Sequence, residues 1–384
     1  MRFEFATATR ILFGAGTAKD AAPAAKEMGQ RAFFVTGSSR ERCRPVADQL
    51  ASIGVDAVSF PVAGEPDIGL VQRGADLART AGCDLVIALG GGSVIDAGKA
   101  IAALLTNEGA VIDYLEVIGK GRLILRPSAP FIAVPTTSGT GSEVTRNAVL
   151  SSHEHRVKAS MRSPLMLPRL AIVDPELTYD LPPAITASTG LDALTQLIEP
   201  YVSSRANPMT DAFCIEGISR ASRSLRRAFE CGTDAAARTE LAFASLMGGL
   251  ALANAGLGAV HGFAAPIGGM FAAPHGAVCA ALLAPGMAAN IRALRERAPG
   301  SDFLARHQRV AAMLTGNPAA APEDGPAFLA DLCAELSIPP LRAYGIRASD
   351  FPALVERASR ASSMKGNPIP LTGTELEAIL VDAV

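Results

Sequence analysis

The sequence DLVIALGGGS, at residues 84–93, decides the fold of the first half of this chain. Its apolar run is short and rich in side chains that favour buried strands, and three glycines follow at once. The glycines let the backbone turn sharply, and a helix is predicted to begin at Val94. The segment therefore predicts a buried β-strand that leads directly into a helix.

The turn of this segment is also a predicted phosphate site. Free N–H groups at the start of a helix, together with the helix dipole, attract phosphate, and glycine lets the backbone approach a ligand closely. The predicted contacts to a dinucleotide pyrophosphate are Gly90, Gly91, Gly92 and Ser93. Ser93 and Asp96, which is also a predicted cofactor contact, have the spacing of a capping box, so ordinary helix capping explains part of the signal.

Apolar runs and helix-like segments alternate through the first half of the chain. Buried strands are predicted at residues 32–36, 55–62, 84–89, 131–134 and 170–173. Helices are predicted between them, at residues 45–53, 70–81 and 94–105. This alternation predicts an α/β domain with a mostly parallel sheet that helices cover on both faces.

After about Leu181 the pattern changes to helices joined by Gly, Pro and Asn turns. A chain of 384 residues is long enough for two domains, because single cores stop growing at roughly 250–300 residues. We therefore predict an α/β dinucleotide-binding domain with a Rossmann-like sheet at residues 1–180. An all-α domain that holds a metal and the substrate is predicted at residues 181–384.

Charge and cysteine content exclude several classes of protein. The 35 Lys and Arg residues balance 37 Asp and Glu residues, so no basic field is available to attract nucleic acid or an anionic membrane. The six cysteines are scattered without a C-x-x-C pair, which favours a reduced compartment over a disulfide framework. The N-terminal residues lack the apolar core of a signal peptide. We expect a cytoplasmic protein whose partners are small molecules.

A second motif, PTTSGTGSE at residues 135–143, follows the predicted strand at 131–134. Hydroxyl groups and glycines at the carboxyl end of a parallel strand lie where open α/β sheets bind their ligands. The run is therefore predicted to form a second wall of a nucleotide cleft, although such runs are often plain loops. The predicted cofactor contacts in this run are Thr136, Thr137, Thr140 and Ser142.

Residues 241–291 contain no Asp, Glu, Lys or Arg, but they contain His261 and His275. The Gly and Ala content of this stretch, together with Pro266, Pro274 and Pro285, breaks it into apolar pieces shorter than the ~20 residues of a membrane span, so buried helices are predicted. Histidine is the commonest biological metal ligand, and the apolar surroundings favour a buried metal centre over two satisfied core histidines. The other three histidines, His153, His155 and His307, are predicted to be solvated.

Five ordered motifs resemble those of the iron-containing, group III alcohol dehydrogenases, and the similarity extends from about residue 5 to about residue 380. The motifs are GGGSVID at 90–96, PTTSGTGSE at 135–143, VDPEL at 173–177, TGLDALT at 189–195 and PHG at 274–276. The resemblance implies a dinucleotide-binding domain, a helical domain and a divalent metal in the cleft between them. It implies reversible hydride transfer between NAD(P) and a small alcohol or aldehyde.

The resemblance also implies the metal ligands, which by position are Asp192, Gln196, His261 and His275. Three of these, Asp192, His261 and His275, are the implied catalytic residues, and Fe²⁺ is the implied ion, with Zn²⁺ or another ion possible. The family usually has a third histidine ligand where Gln196 stands, and a proton-relaying histidine where Ala265 stands. An amide oxygen is a weaker donor than imidazole, so Fe²⁺ affinity is expected to fall.

The remaining site residues follow from position in the family. Lys158 is either a cofactor contact or a solvated hairpin lysine, while Asn147 and Phe263 are candidates to line the substrate pocket. Gly37 stands where NAD-specific relatives often carry Asp, and Ser38 offers a donor there, as do Ser39 and Arg40. NADP(H) is therefore allowed and favoured, unless Arg40 simply occupies a solvated turn.

Two other functions stay open. One is a reductase similar to maleylacetate reductases, which reduce a carbon–carbon double bond without a bound metal. The changes at Gln196 and Ala265 keep this alternative open, but the uncharged stretch around His261 and His275 offers no cationic partner for a substrate carboxylate. The other is a non-catalytic dinucleotide-binding protein with a decayed metal site.

We also expect a homodimer, because the segment at residues 3–13 could pair as an edge strand with a second copy.

Overall fold

Strands and helices alternate through the first 180 residues, as the apolar runs predict. The computed structural model describes residues 2–384, apart from the side chain of Arg40. The strands are β1 (Ile11–Phe13), β2 (Arg31–Thr36), β3 (Asp56–Pro61), β4 (Leu85–Gly90), β5 (Phe131–Pro135), β6 (Asn147–Ser152), β7 (Val157–Arg162) and β8 (Leu170–Val173). The helices of this half are α1 (Ala21–Met28), α2 (Arg40–Ser52), α3 (Ile68–Thr80), α4 (Gly92–Thr106) and α5 (Val111–Tyr114).

The second half of the described chain is helical. Its helices are α6 (Pro183–Val202), α7 (Pro208–Glu230), α8 (Ala235–Ala255), α9 (Ala259–Met270), α10 (His275–Arg297), α11 (Asp302–Thr315), α12 (Asp324–Glu335), α13 (Phe351–Arg360) and α14 (Gly373–Ala383). The chain divides into two compact units, an α/β unit of residues 5–137 and 141–180 and a helical unit of residues 181–384 with residues 2–4 and 138–140.

The α/β unit is built on a parallel sheet. Within the described residues the sheet has six strands in the order β1-β8-β5-β4-β2-β3, and β6 and β7 form a separate antiparallel pair. All five predicted strands are present. Helix α2 begins at Arg40, five residues before the predicted start at Pro45, because Pro45 is accommodated inside the helix rather than at its first turn.

Helices cover both faces of this sheet. On β4, Leu85, Ile87 and Leu89 pack in one apolar cluster with α1 and α2, and the alternate residues Val86 and Ala88 pack in the other with α3 and α4. The connection after β2 therefore runs to one face of the sheet, and the connection after the neighbouring strand β4 runs to the other face. A crevice forms at the carboxyl ends of two such strands, which is where open α/β sheets bind ligands.

The N-terminal segment contributes an edge strand to the sheet of its own unit. Ile11–Phe13 forms β1 and pairs in parallel with β8, from Ile11 beside Ala171 to Phe13 beside Val173. Because β1 is the last strand of the described sheet, only one of its edges is paired, and pairing of the other edge with a second copy stays a prediction. Residues 3–10 lie outside the strands, and their pairing across a dimer stays a prediction.

In the helical unit, α6 is the central helix. Every residue from Gly190 to Val202 is buried, because neighbouring helices surround this part of α6. Of the described helices, α10 is the one that by itself is long and apolar enough to cross a membrane, but 72% of its most apolar stretch is buried, as in a core helix. Helices α8 and α9 meet at a bend of 97° around Gly256.

His307 is buried, so the prediction of a solvated side chain is wrong. It lies on α11 with Val310, Ala311 and Leu314 on the same buried face, and only 1% of its surface is exposed. Nδ1 lies 2.8 Å from the carbonyl oxygen of Phe303, so Nδ1–H donates to it. Burial disfavours the charged ring and lowers its pKa to about 4, against the opposing effect of that hydrogen bond.

The variant His307→Gln should lose less stability in mild acid than the wild type. Between about pH 6.5 and 4 the unfolded histidine takes up a proton that the folded ring does not, so the wild-type free energy of unfolding falls as pH falls. This contribution amounts to about 3 kcal/mol over that range. Urea unfolding followed by circular dichroism at several pH values measures it. The exposed His153→Gln is the control, and equal pH dependence in His307→Gln and wild type would contradict the prediction.

Candidate functional site

Four potential metal ligands from three helices meet inside the helical unit. Asp192 comes from α6, His261 from α9, and His275 and Cys279 from α10. One ligand atom from each side chain lies within 4.8 Å of those of the other three. The predicted ligands Asp192, His261 and His275 are thus brought together, and Cys279 joins them without having been predicted.

The distances within this metal cluster are short. Oδ1 of Asp192 lies 3.5 Å from Nε2 of His261 and 3.7 Å from Nε2 of His275. Sγ of Cys279 lies 3.8 Å from Nε2 of His261 and 3.7 Å from Nε2 of His275. The side chains of Asp192 and His261 are 2% and 7% exposed, whereas that of His275 is 33% exposed. The cluster is therefore accessible at His275.

Gln196 lies one helical turn after Asp192 on α6 and is 2% exposed. Its amide is close enough to the carboxylate of Asp192 to help lower the pKa of that group. Within the described chain, Oε1 of Gln196 and Oδ1 of Asp192 are both buried without a hydrogen-bond partner. Buried oxygens without a partner are costly, so these two atoms indicate a ligand that the protein itself does not supply.

Glu199 supports His261 and was missed in the sequence. Its Oε2 lies 2.7 Å from Nδ1 of His261, and its Oε1 accepts a 2.7 Å hydrogen bond from the backbone N–H of Val260. A carboxylate only accepts, so Nδ1–H donates to it and Nε2 is left to face Asp192. Glu199 follows Asp192 by seven residues, the spacing of one helix face, and that spacing was the available signal.

The charges in the metal cluster are strongly coupled. Burial opposes a charge on His261, but Cys279, Asp192 and Glu199 outweigh it and raise the pKa of the ring well above its usual value. Burial also opposes the carboxylate of Asp192, yet His275 and His261 outweigh it and lower the pKa of that group. The surroundings therefore favour positive charge at the centre of the cluster, which a divalent cation would supply.

The predicted phosphate site lies at the crevice of the α/β unit. Gly37 follows β2 and donates from its N–H to the carbonyl of Leu89, 3.3 Å away, and Gly90 O accepts from Thr136 N at 3.0 Å. A Cβ on Gly91 would lie 3.5 Å from Thr137, so these two residues face each other. Gly92 and Ser93 open α4, and Ser38 follows Gly37 in the turn after β2.

Asp96 and Ser142 connect α4 to the β6–β7 hairpin. Oδ1 of Asp96 accepts from the hydroxyl of Ser142, and Oδ2 accepts from Val149 N at 2.9 Å. The buried Lys99, also missed in the sequence, donates to the carbonyls of Ser142 and Asn147 at 2.8 and 2.7 Å. These bonds hold the wall of the crevice in place, and direct contact of Asp96 or Ser142 with a cofactor stays a prediction.

The other predicted site residues have varied surroundings. Lys158 on β7 is 6% exposed and pairs with Glu65 at 2.6 Å, so it is not a solvated hairpin lysine. Asn147 is half-buried at the start of β6, whereas Phe263 on α9 is fully buried, and their substrate contacts stay predictions. Thr140 belongs to the helical one of the two compact units. The side chain of Arg40 lies outside the described residues.

Comparison with known proteins identifies relatives over the whole chain. A family model described as iron-containing alcohol dehydrogenase matches residues 8–175, and the C-terminal model of the same family matches residues 186–384. Alcohol dehydrogenase 4 of Schizosaccharomyces pombe is 37% identical over 320 residues, which cover 83% of this chain and 73% of that protein.

Solved structures share the same fold. A crystal structure of 1,3-propanediol oxidoreductase has a TM-score of 0.92 at 32% identity and covers 100% of both chains. Sulfoacetaldehyde reductase from Bifidobacterium kashiwanohense, solved in complex with NAD⁺, has a TM-score of 0.86 at 28% identity and covers 100% of this chain and 99% of its own. The fold class and the resemblance seen in the motifs are confirmed. This chain belongs to the iron-containing alcohol dehydrogenase family and is an NAD(P)-dependent oxidoreductase that acts on alcohols or aldehydes.

Proposed function

We propose that this enzyme interconverts a small alcohol and its aldehyde with a divalent metal held by Asp192, Gln196, His261 and His275. The observation that carries the proposal is the buried Oδ1 of Asp192, which has no hydrogen-bond partner in the described chain and faces two imidazole nitrogens. Carboxylate and amide oxygens with imidazole nitrogens suit a borderline ion such as Fe²⁺ or Zn²⁺. These residues therefore fit the metal that the family description implies.

Each ligand has a defined part in this proposal. When bound, the ion supplies positive charge that polarises the substrate oxygen and stabilises negative charge on it. Asp192 offsets the charge of the ion, and Glu199 keeps Nε2 of His261 directed at the site. His275, the most exposed of these ligands, lies on the side where substrate would approach. The stretch 241–291 contains no Asp, Glu, Lys or Arg, and its apolar side chains help to exclude water from the reaction.

The proton of the alcohol needs another route than the one usual in the family. Ala265 cannot carry a proton, and it stands where relatives have a histidine. We propose that the proton leaves through the ribose hydroxyls of the cofactor and water. An Ala265→His variant with an unchanged rate and pH profile would show that the missing imidazole does not limit the reaction.

The cofactor is proposed to lie in the crevice of the α/β unit, with its pyrophosphate at the start of α4 between Gly91 and Thr137. The open approach of these two residues supports this assignment. Gly37 and Ser38 leave room for the 2′-phosphate of NADP(H) beside the carboxyl end of β2.

Assembly as a homodimer and a cytoplasmic location are further proposals, which the balanced charge and scattered free cysteines support.

Removal of the metal should abolish alcohol oxidation and aldehyde reduction with either cofactor. The test is metal analysis of the purified enzyme, assay after chelation, and assay after re-addition of Fe²⁺ or Zn²⁺. Asp192→Asn removes the charge of a direct ligand. Metal affinity should therefore fall by more than the about 10–100-fold that is typical of substitutions at residues that hydrogen-bond to a ligand. Asp331→Asn on the exposed face of α12 is the control. Full alcohol and aldehyde activity without metal would contradict the metal-dependent mechanism, whereas metal-independent reduction of a conjugated carbon–carbon double bond would favour the alternative reductase.

The variant Glu199→Gln should keep the fold and lose metal affinity by about 10–100-fold. A neutral amide oxygen accepts from Nδ1–H of His261 more weakly than a carboxylate does, so the ring is oriented less firmly. Competition with a chromophoric chelator measures the affinity. Glu216→Gln on α7, half exposed, is the matched control. An affinity equal to that of the wild type would show that Glu199 does not position the ligand.

Two neighbouring glycines should respond differently to alanine. Gly91→Ala adds a Cβ at ordinary contact distance from Thr137 and with an allowed backbone, so the fold should survive while KM for the cofactor rises about tenfold. A Cβ on Gly90 would come within 2.5 Å of Val94, so Gly90→Ala should lower Tm. Steady-state kinetics and thermal unfolding measure the two effects. An unchanged KM in Gly91→Ala would place the pyrophosphate elsewhere.

A further inference from the structure

Cys279 belongs to the metal cluster, yet the ligand set proposed above does not use it. It follows His275 by one helical turn on α10, so the two side chains share a face of that helix. Cys279 is completely buried, and its Sγ is within 3.8 Å of the Nε2 atoms of both histidines. The sulfur is therefore directed at the same point as the predicted ligands.

The spacing within the cluster matches a tetrahedral metal site. With zinc–sulfur bonds of about 2.3 Å and zinc–nitrogen bonds of about 2.0 Å, adjacent sulfur and nitrogen ligands are about 3.5 Å apart. The corresponding distances from Cys279 to His261 and His275 are 3.8 and 3.7 Å. The distances from Asp192 to the same nitrogens, 3.5 and 3.7 Å, are of the same size. Small side-chain shifts would bring all four atoms to bonding distance of one ion.

The charge of the cluster also favours a sulfur ligand. A set of Asp192, Gln196 and two neutral histidines carries one negative charge, which leaves a divalent ion half compensated by its direct ligands. A thiolate at Cys279 adds a second negative charge to the direct ligands, and binding of the ion releases the thiol proton to solvent. The other nearby carboxylate, that of Glu199, contacts Nδ1 of His261 and lies behind that ligand.

The partnerless Oδ1 of Asp192 independently indicates a cation at this point, since that atom is buried and lies against the same two nitrogens as the sulfur. We propose that Cys279 is a metal ligand, and that Asp192, His261, His275 and Cys279 together hold the ion. This revises the ligand set proposed above in one position, because Cys279 rather than the weak amide donor Gln196 is then the fourth ligand. A thiolate ligand shifts the preference of the site from Fe²⁺ toward Zn²⁺. This inference rests on the proposed function in one respect, because both require a metal in the cluster.

Cobalt substitution of the full-length apoprotein tests this ligand directly. Co²⁺ bound to a thiolate gives a sulfur-to-metal charge-transfer band in the near ultraviolet, in addition to the weak visible bands of any tetrahedral Co²⁺ site. We expect the charge-transfer band and the visible bands in the wild type, and only the visible bands in Cys279→Ser. Cys231→Ser, at an exposed cysteine after α7, should keep the charge-transfer band.

Competition between Zn²⁺ and Fe²⁺ provides a second measurement. The preference of the wild type for Zn²⁺ should fall at least about tenfold in Cys279→Ser, and less in Gln196→Ala. Circular dichroism checks that each variant is folded. Cys279→Ala replaces the serine variant if a buried hydroxyl prevents folding, and its expected spectrum is the same.

The outcomes separate this inference from the function on which it rests. Visible cobalt bands without a charge-transfer band in the wild type would overturn the sulfur ligand and leave the metal site intact. A charge-transfer band that persists in Cys279→Ser would also overturn it, because another cysteine would then be the ligand. Failure of the wild type to bind Co²⁺ or Zn²⁺ at all would overturn both the ligand and the metal-dependent function.

Discussion

The buried carboxylate of Asp192 has one oxygen, Oδ1, without a hydrogen-bond partner in the described chain, and the proposed metal site depends on this constraint. Helix α6 is buried along the whole length that carries Asp192, so the carboxylate itself is shielded from solvent. The surrounding imidazoles are oriented toward it, and Glu199 fixes one of them through a 2.7 Å hydrogen bond. A cation bound at this point would satisfy the buried oxygen that the protein leaves without a partner.

The cofactor site proposed in the α/β unit has a different requirement, which is close approach of the backbone to the ligand. Its sheet sends the chain to opposite faces after β2 and β4, and the crevice that results is lined by backbone and small side chains. Gly90 is needed for packing against Val94, whereas Gly91 keeps space free in front of Thr137. Behind this wall, the buried ammonium of Lys99 and the carboxylate of Asp96 hold the hairpin against α4. In the proposed cofactor site, a packing role at Gly90 thus lies next to the binding role proposed for Gly91.

Much of the fold follows from local sequence, because apolar runs such as that of β4 have few alternatives to a buried strand. The β6–β7 hairpin has a weaker signal, since its strands are short and contain several serines, and it was not predicted as a pair of strands. In the site, Asp192, His261 and His275 were found through motifs. Glu199 and Cys279 were missed, although their helical spacings were visible, because which helices meet is decided by packing and not by spacing.

The partial exposure of His275 governs how the ion is exchanged. Its side chain is 33% accessible, while those of Asp192 and His261 are 2% and 7% accessible and Cys279 has no exposed surface. A cation that enters the proposed site would pass His275 first, because the other three side chains are closed off from solvent. Loading would therefore require no separation of the helices, and the folded protein would take up its ion after folding is complete.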